Sequence, residues 1–188
     1  MSDKTAKLTV SAVLIALATA LSEIKLPGIW VHGGGITIVS MLPLVLLTNR
    51  YGTRYGLVCC LGYSLIQMIL GIDNLQWAQS FLMGVGIVLF DYVLAYTAIG
   101  TSAVFKGKLG GRRKEIALGV VLSMTLRFIC HFISGWMVWH SIAPEQFSWS
   151  TPLWSLIYNV SYMAPEIILT TVGAVVSYDA LKKQWENL

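Results

Sequence analysis

Ile116-Ala-Leu-Gly-Val-Val-Leu-Ser-Met-Thr-Leu-Arg127-Phe-Ile-Cys-His131-Phe-Ile-Ser-Gly135-Trp-Met-Val-Trp139 is the stretch that decides the fold. It contains one cation, Arg127, and one imidazole, His131, and otherwise shows no polar face. A helix on the surface of a soluble protein needs such a face. About 20 apolar residues span the hydrocarbon core of a bilayer, so this stretch reads as a transmembrane helix. The rest of the chain agrees. Of 188 residues, 56% are hydrophobic and only 12% charged, about half the charged share of an average soluble domain. The mean hydropathy is +0.70. These values exclude a soluble globule and a disordered chain. Three cysteines exclude a disulfide-stapled secreted domain. Cys59 and Cys60 are adjacent, and Cys130 stands apart without metal spacing, so all three read as small buried hydrophobes and no metal is expected.

Working outward, charged or Gly/Pro punctuation separates six apolar segments. They run from about Leu8 to Ser22, Ile36 to Asn49 (short for a span), Tyr55 to Ile72, the high seventies to Phe105, Ile116 to Trp139, and Pro152 to Leu181. The first has no convincing cleavage site before Ser22-Glu23-Ile24-Lys25 and reads as a helix, not a signal peptide. The fold expected is all-α: one domain over residues 1–188, a bundle of six transmembrane helices. With six spans, one side holds Lys4, Lys7, Arg50, Arg54, Lys106, Lys108, Arg112, Arg113, Lys114, Lys182 and Lys183; the other holds Lys25 alone. By the positive-inside rule both termini are cytoplasmic. The same bias accounts for a pI near 9.0 without a nucleic-acid partner.

An ionisable group within a span costs roughly 2.5–3.5 kcal/mol to insert, so it faces a cavity or a partner. Asp91, Arg127, His131 and Glu166 are such groups. Arg127, His131, Gly135 and Trp139 recur at i+4 and form one stripe, with Gly135 leaving a gap for a flat ring between imidazole and indole. Ser155, Asn159, Tyr162 and Glu166 share a face of the last helix. In the expected topology these faces meet in the outer half of the bilayer. One carboxylate, one imidazole, one amide and aromatic walls suit a small, flat, cationic heteroaromatic ligand. Each residue also has a plainer reading. Arg127 pairs with Asp91 or Glu166 as structural glue. Glu166, after Pro165, satisfies backbone groups freed at a kink. His131 serves as a helix–helix donor, and Trp136 and Trp149 belong to an interfacial belt.

Two further features lie outside that pocket. Ala12, Ala16 and Ala20 form a small-residue stripe, suited either to a partner helix or to packing inside the bundle. The first connection, from Lys25 to Gly35, holds three consecutive glycines and Trp30, a mobile loop with a hydrophobic plug. No G-x-x-x-x-G-K-[ST] sequence occurs, so the chain does not hydrolyse ATP by that machinery.

Tyr158-Asn-Val-Ser-Tyr-Met-Ala-Pro-Glu166, His131-Phe-Ile-Ser-Gly-Trp136 with Trp139, and Asp91-Tyr-Val-Leu-Ala95 resemble the ThiT (YuaJ) family. These are the thiamine-binding S components of energy-coupling factor (ECF) vitamin transporters. The resemblance covers almost the whole chain. It implies capture of thiamine outside and delivery inward on docking to a transmembrane coupling subunit with two ATPase subunits. It implies binding roles for Asp91, Tyr92, His131, Gly135, Trp139 and Asn159, and a docking role for Ala12 and Ala16. Trp154 stands where some members place a Tyr, Trp30 supplies the first-loop Trp, and Asp91 replaces a Glu one methylene longer. Thiamine is then cargo, and no cofactor is expected. The rival readings are an S component for another vitamin or a thiamine precursor, a proton-coupled carrier using Asp91 and Glu166, and an intramembrane hydrolase. For the hydrolase, Ser134 and His131 lie three residues apart on one helix with no nucleophile loop.

Overall fold

The computed structural model describes residues 3–28, 34–138 and 150–186. In chain order the helices are α1 (Asp3–Glu23), α2 (Leu42–Tyr51), α3 (Thr53–Leu70), α4 (Phe81–Thr101), α5 (Arg112–Val138) and α6 (Thr151–Glu186). A 3-10 turn, Ile72–Trp77, joins α3 to α4. All but α2 are long and apolar enough to cross a membrane, which makes five candidate spans among the described residues. α4 is compound: α-helical over Phe81–Gly86, π-helical over Ile87–Leu94, and closed by Ala95–Thr97 and a 3-10 turn at Ala98–Thr101. Among the described residues no strand forms beyond an isolated antiparallel bridge between Lys25 and Thr37.

The second expected segment, Ile36 to Asn49, is helical only from Leu42. Ten residues rise ~15 Å, half the hydrocarbon thickness. The chain reaches that depth as non-helical backbone lying along α6. Gly34 abuts the Tyr162 ring, Thr37 bonds to Glu166, and Val39 and Leu42 lie over Gly173. Ile36, Thr37, Ile38 and Val39 are all β-branched and follow glycines, a run that disfavours helix. Pro43 then sits in the first turn of α2, where its missing N–H costs nothing. Irregular backbone is tolerated at membrane depth only when covered by protein, and here the Thr37 N–H is bonded to the Glu166 carboxylate. Val39 is held at φ 49°, a left-handed conformation that costs a β-branched residue ~1–3 kcal/mol.

The core runs through the middle of the bundle: Met41, Leu44 and Val45 of α2 with its entry, Tyr63 of α3, Ile99 of α4, Met124 of α5 and Met163 of α6. α5 and α6 form the most extensive pair. α4 crosses α3 at Gly100, where an added Cβ would lie 2.6 Å from the Leu57 backbone; small residues at such crossings let helices approach in lipid. Large apolar side chains point outward on the long helices, among them Val58 at 69% exposed, Ile168 at 63% and Val176 at 61%. A soluble monomer does not present such a continuous apolar surface; a lipid-facing bundle does.

One pole of the bundle is basic. Lys7 Nζ sits 3.7 Å over the Tyr55 ring, and Arg113 pairs with Asp179 at 2.7 Å. The last carbonyls of α2 are capped by Lys106 Nζ and Arg112 Nη2, 3.3 and 3.1 Å from Asn49 O, as cations near a helix C-terminus should be. Burial, and the neighbouring Arg112 after it, push the Lys106 ammonium below the usual lysine range. The other pole, where α1, α3 and α5 end, opens into a cavity.

Candidate functional site

The cavity holds about 300 Å³ and lies between α3, α4, α5, α6 and the backbone entering α2. That is the small end of the range for ligand pockets. Asp91, Asp73 and Glu23 line it together with Arg127 and Lys25, three carboxylates against two cations. With a neutral histidine this wall carries a net negative charge suited to a monocation. Tyr92, Tyr96, Trp154, Tyr158 and Tyr162 supply its aromatic faces.

Asp91 stands in the π-helical part of α4, a geometry often found at functional sites. Its side chain is 14% exposed and is held by two groups of α5. His131 Nδ1 lies 3.1 Å from Oδ1, and Ser134 Oγ donates to Oδ2 at 2.6 Å. Fixing both oxygens from one neighbouring helix aims the carboxylate before any ligand arrives. Nε2 of His131 is buried with no hydrogen-bond partner among the described residues. The imidazole is flanked edge-on by Tyr96 and Tyr162, at 6.5 and 6.4 Å between centroids. Trp154 and Tyr158 follow at 5.2 Å. Such a ring set offers π faces to a cation.

On α6, Asn159 accepts from the Tyr162 hydroxyl at 2.6 Å and donates to Ser155 O at 2.9 Å. Longer contacts reach Ser155 Oγ at 3.3 Å and His131 O at 3.4 Å. Tyr92 donates to Gly71 O at 2.6 Å and accepts from Asn74 Nδ2 at 2.8 Å, tying the end of α3 and the following turn to the cavity rim.

The family profile described as thiamine transporter protein (Thia_YuaJ) matches residues 8–185. The chain belongs to this thiamine transporter family. It is 30% identical over 182 residues to the thiamine transporter ThiT of Bacillus subtilis (strain 168), covering 91% of this chain and 89% of the relative. Its fold is similar to that of a structure described as native-SAD phasing for ThiT from Listeria monocytogenes. There the TM-score is 0.76 at 19% identity, over 98% of this chain and 99% of that one. The family is one of transporters and not of enzymes, which removes the hydrolase reading of Ser134 and His131. Ser134 has another task here, since its hydroxyl is committed to Asp91.

In this thiamine transporter family member, Asp91, Tyr92, His131, Gly135, Trp154 and Asn159 all line one cavity. Trp30 and Trp139 lie outside the described residues. Ala12 and Ala16 are exposed on the outer face of α1, while Ser11, Ala18 and Ser22 turn inward, so the alanine stripe does not pack inside the bundle. Two expectations are corrected. Arg127 pairs with neither Asp91 nor Glu166; its guanidinium lies 4.9 Å over the Tyr96 ring and lines the cavity. Glu166 does not serve the α6 backbone at Pro165, because its Oε1 is taken by Thr37. Gly135 lines the cavity and also allows the α5–α6 approach, since a Cβ there would meet Ser155 Oγ at 2.3 Å; the expected slot against Trp139 lies outside the described residues.

Sequence reasoning passed over Ser134 as the partner that orients Asp91, and also the cavity-lining Tyr96, Asn74 and Lys25. Ser134 carried a signal, standing three residues after His131 on one helical face. Tyr96 stands five residues after Asp91, a spacing that shares a face on a π-helix but not on an α-helix. Asn74 and Lys25 come from connections whose course no periodicity reveals.

Proposed function

We infer that this chain is the substrate-capture (S) subunit of an ECF-type transporter, which binds thiamine in the cavity from the external side of a bacterial plasma membrane. One observation carries the reading: in a thiamine transporter family chain, a preoriented carboxylate, Asp91, faces a small aromatic cavity of net negative charge. Thiamine is a cation with two flat heteroaromatic rings. Asp91 and the tyrosine faces stabilise its positive charge, His131 and Asn159 offer hydrogen bonds, Trp154 and Trp139 stack, and Tyr92 holds the rim. Gly135 lets α6 close on α5. A ligand ring nitrogen that accepts from Asn159 Nδ2 replaces its long contacts at little cost.

The chain crosses the membrane six times in this reading, the second crossing being made by residues 34–41 together with α2. Both termini and the basic pole are then cytoplasmic, and the cavity opens outside. The exposed face with Ala12 and Ala16 docks the transmembrane coupling subunit, to which two ATPase subunits supply the energy. Reconstitution tests this division of labour. Liposomes holding the chain with a coupling subunit and both ATPases should accumulate radiolabelled thiamine only with ATP. Accumulation driven by a proton gradient in liposomes holding the chain alone would contradict it.

A further inference from the structure

Glu166 is 2% exposed in the middle of α6 and is not part of the cavity wall. Its Oε1 accepts the Thr37 N–H, and Thr37 Oγ1 lies 2.8 Å from the same oxygen. Ser40 closes the turn, with Oγ 2.7 Å from Thr37 Oγ1 and its N–H donating to that hydroxyl at 3.3 Å. Hydrogen bonds to a desolvated carboxylate are stronger than neutral ones. What they hold is strained and is part of the site. Val39, inside the turn, sits at φ 49°, which a β-branched residue adopts only when its surroundings impose it. Gly34, with φ 78°, lies so close to the Tyr162 ring that a Cβ would approach within 2.7 Å. Lys25, bridged to Thr37, stacks its side chain on Gly35. Gly34 and Lys25 both line the cavity. Part of the cavity wall, Gly34, is therefore the start of this non-helical segment, which is tethered by a carboxylate one turn deeper on α6 than Tyr162.

We propose that Glu166 is a positioning residue for ligand retention: without touching the ligand, it clamps Thr37, keeps segment 34–40 against the cavity, and so sets how slowly bound thiamine leaves. This rests on the cavity being the thiamine site. Loss of the clamp lets Val39 relax and the wall separate from Tyr162. The effect falls on release more than on association, as it does for most changes that loosen a bound state.

The test uses the full chain in detergent, loaded with radiolabelled thiamine and chased with unlabelled thiamine. Glu166→Gln and Thr37→Val should each release label at least about tenfold faster than wild type, the scale of one lost hydrogen bond to a charged group. Association should stay within about twofold. The double variant should release no faster than Glu166→Gln, because the hydroxyl bond lost in Thr37→Val is one of the two bonds to Thr37 that Glu166→Gln already weakens. A merely structural role would lower the melting temperature and the active fraction but leave release from loaded molecules at the wild-type rate. Wild-type release by both variants overturns the proposal while leaving the site reading intact. If Glu166→Gln does not fold, wild-type release by Thr37→Val alone overturns it. Failure of the wild-type chain to bind thiamine overturns the site reading, and the proposal with it.

Discussion

A carboxylate within a membrane span persists only when neighbouring groups offset its desolvation. Asp91 meets that demand with an imidazole and a hydroxyl from α5 instead of the arginine that shares the cavity. Its oxygens are consequently oriented beside the cavity, where they face an incoming cation. Asp91 and His131 were legible as residues because ionisable groups are rare in apolar runs. Their meeting, with Ser134 bonded to the same carboxylate, was not, because it depends on how far α4 is rotated against α5. Gly135 shows the same limit: its small size is evident in the sequence, but only packing shows what it makes room for. Gly135→Ala places a methyl 2.3 Å from Ser155 Oγ, and overpacking of this kind costs ~1–3 kcal/mol. The melting temperature in detergent should fall, and adding Ser155→Ala should recover part of the loss. Unchanged melting of the single variant would show that the α5–α6 contact is looser than described.

The elements that departed from simple periodicity are those that build the cavity. α4 reads as one apolar run, but its π-helical turns over Ile87–Leu94 rotate Asp91 toward α5 and bring Tyr96 beside His131. The second apolar segment divides into non-helical backbone and the short α2, since its β-branched residues resist helix while Glu166 accepts the Thr37 N–H. Hydropathy registers that both segments are buried in the membrane and carries no information about either change of geometry. The turn Ile72–Trp77 depends on one hydroxyl, with Tyr92 accepting from Asn74 and donating to Gly71 O. Tyr92→Phe removes both bonds, leaves the ring in place, and should cost ~1–3 kcal/mol. Hydrogen exchange should rise at residues 71–77 and remain unchanged in α5. Uniform exchange across the chain would mean that the hydroxyl does not hold this turn.

At the scale of the whole molecule, the two poles divide the labour. Cations gather at one, where Lys106 and Arg112 cap α2 and Arg113 ties α5 to α6, and the cavity opens at the other. This polarity was readable from the placement of Lys and Arg alone, because loop charge fixes orientation before tertiary packing matters. The lipid-facing surface was readable from composition. The outward direction of Ala12 and Ala16 was not, because a small-residue stripe serves inner and outer faces equally. Ala12→Trp with Ala16→Trp should abolish ATP-driven uptake in the reconstituted transporter and leave thiamine binding by the isolated chain intact. Loss of binding as well would show that the stripe supports the bundle, and normal uptake would show that no partner docks there. The central claim is capture by this chain alone, with Asp91 as the charge that recognises the ligand. Calorimetric titration of the purified chain with thiamine, without nucleotide or partner, tests it most directly. The account predicts saturable one-site binding by wild type and an affinity roughly 10–150-fold weaker in folded Asp91→Asn. Absence of saturable binding by wild type, or equal affinity in the two proteins, would contradict it.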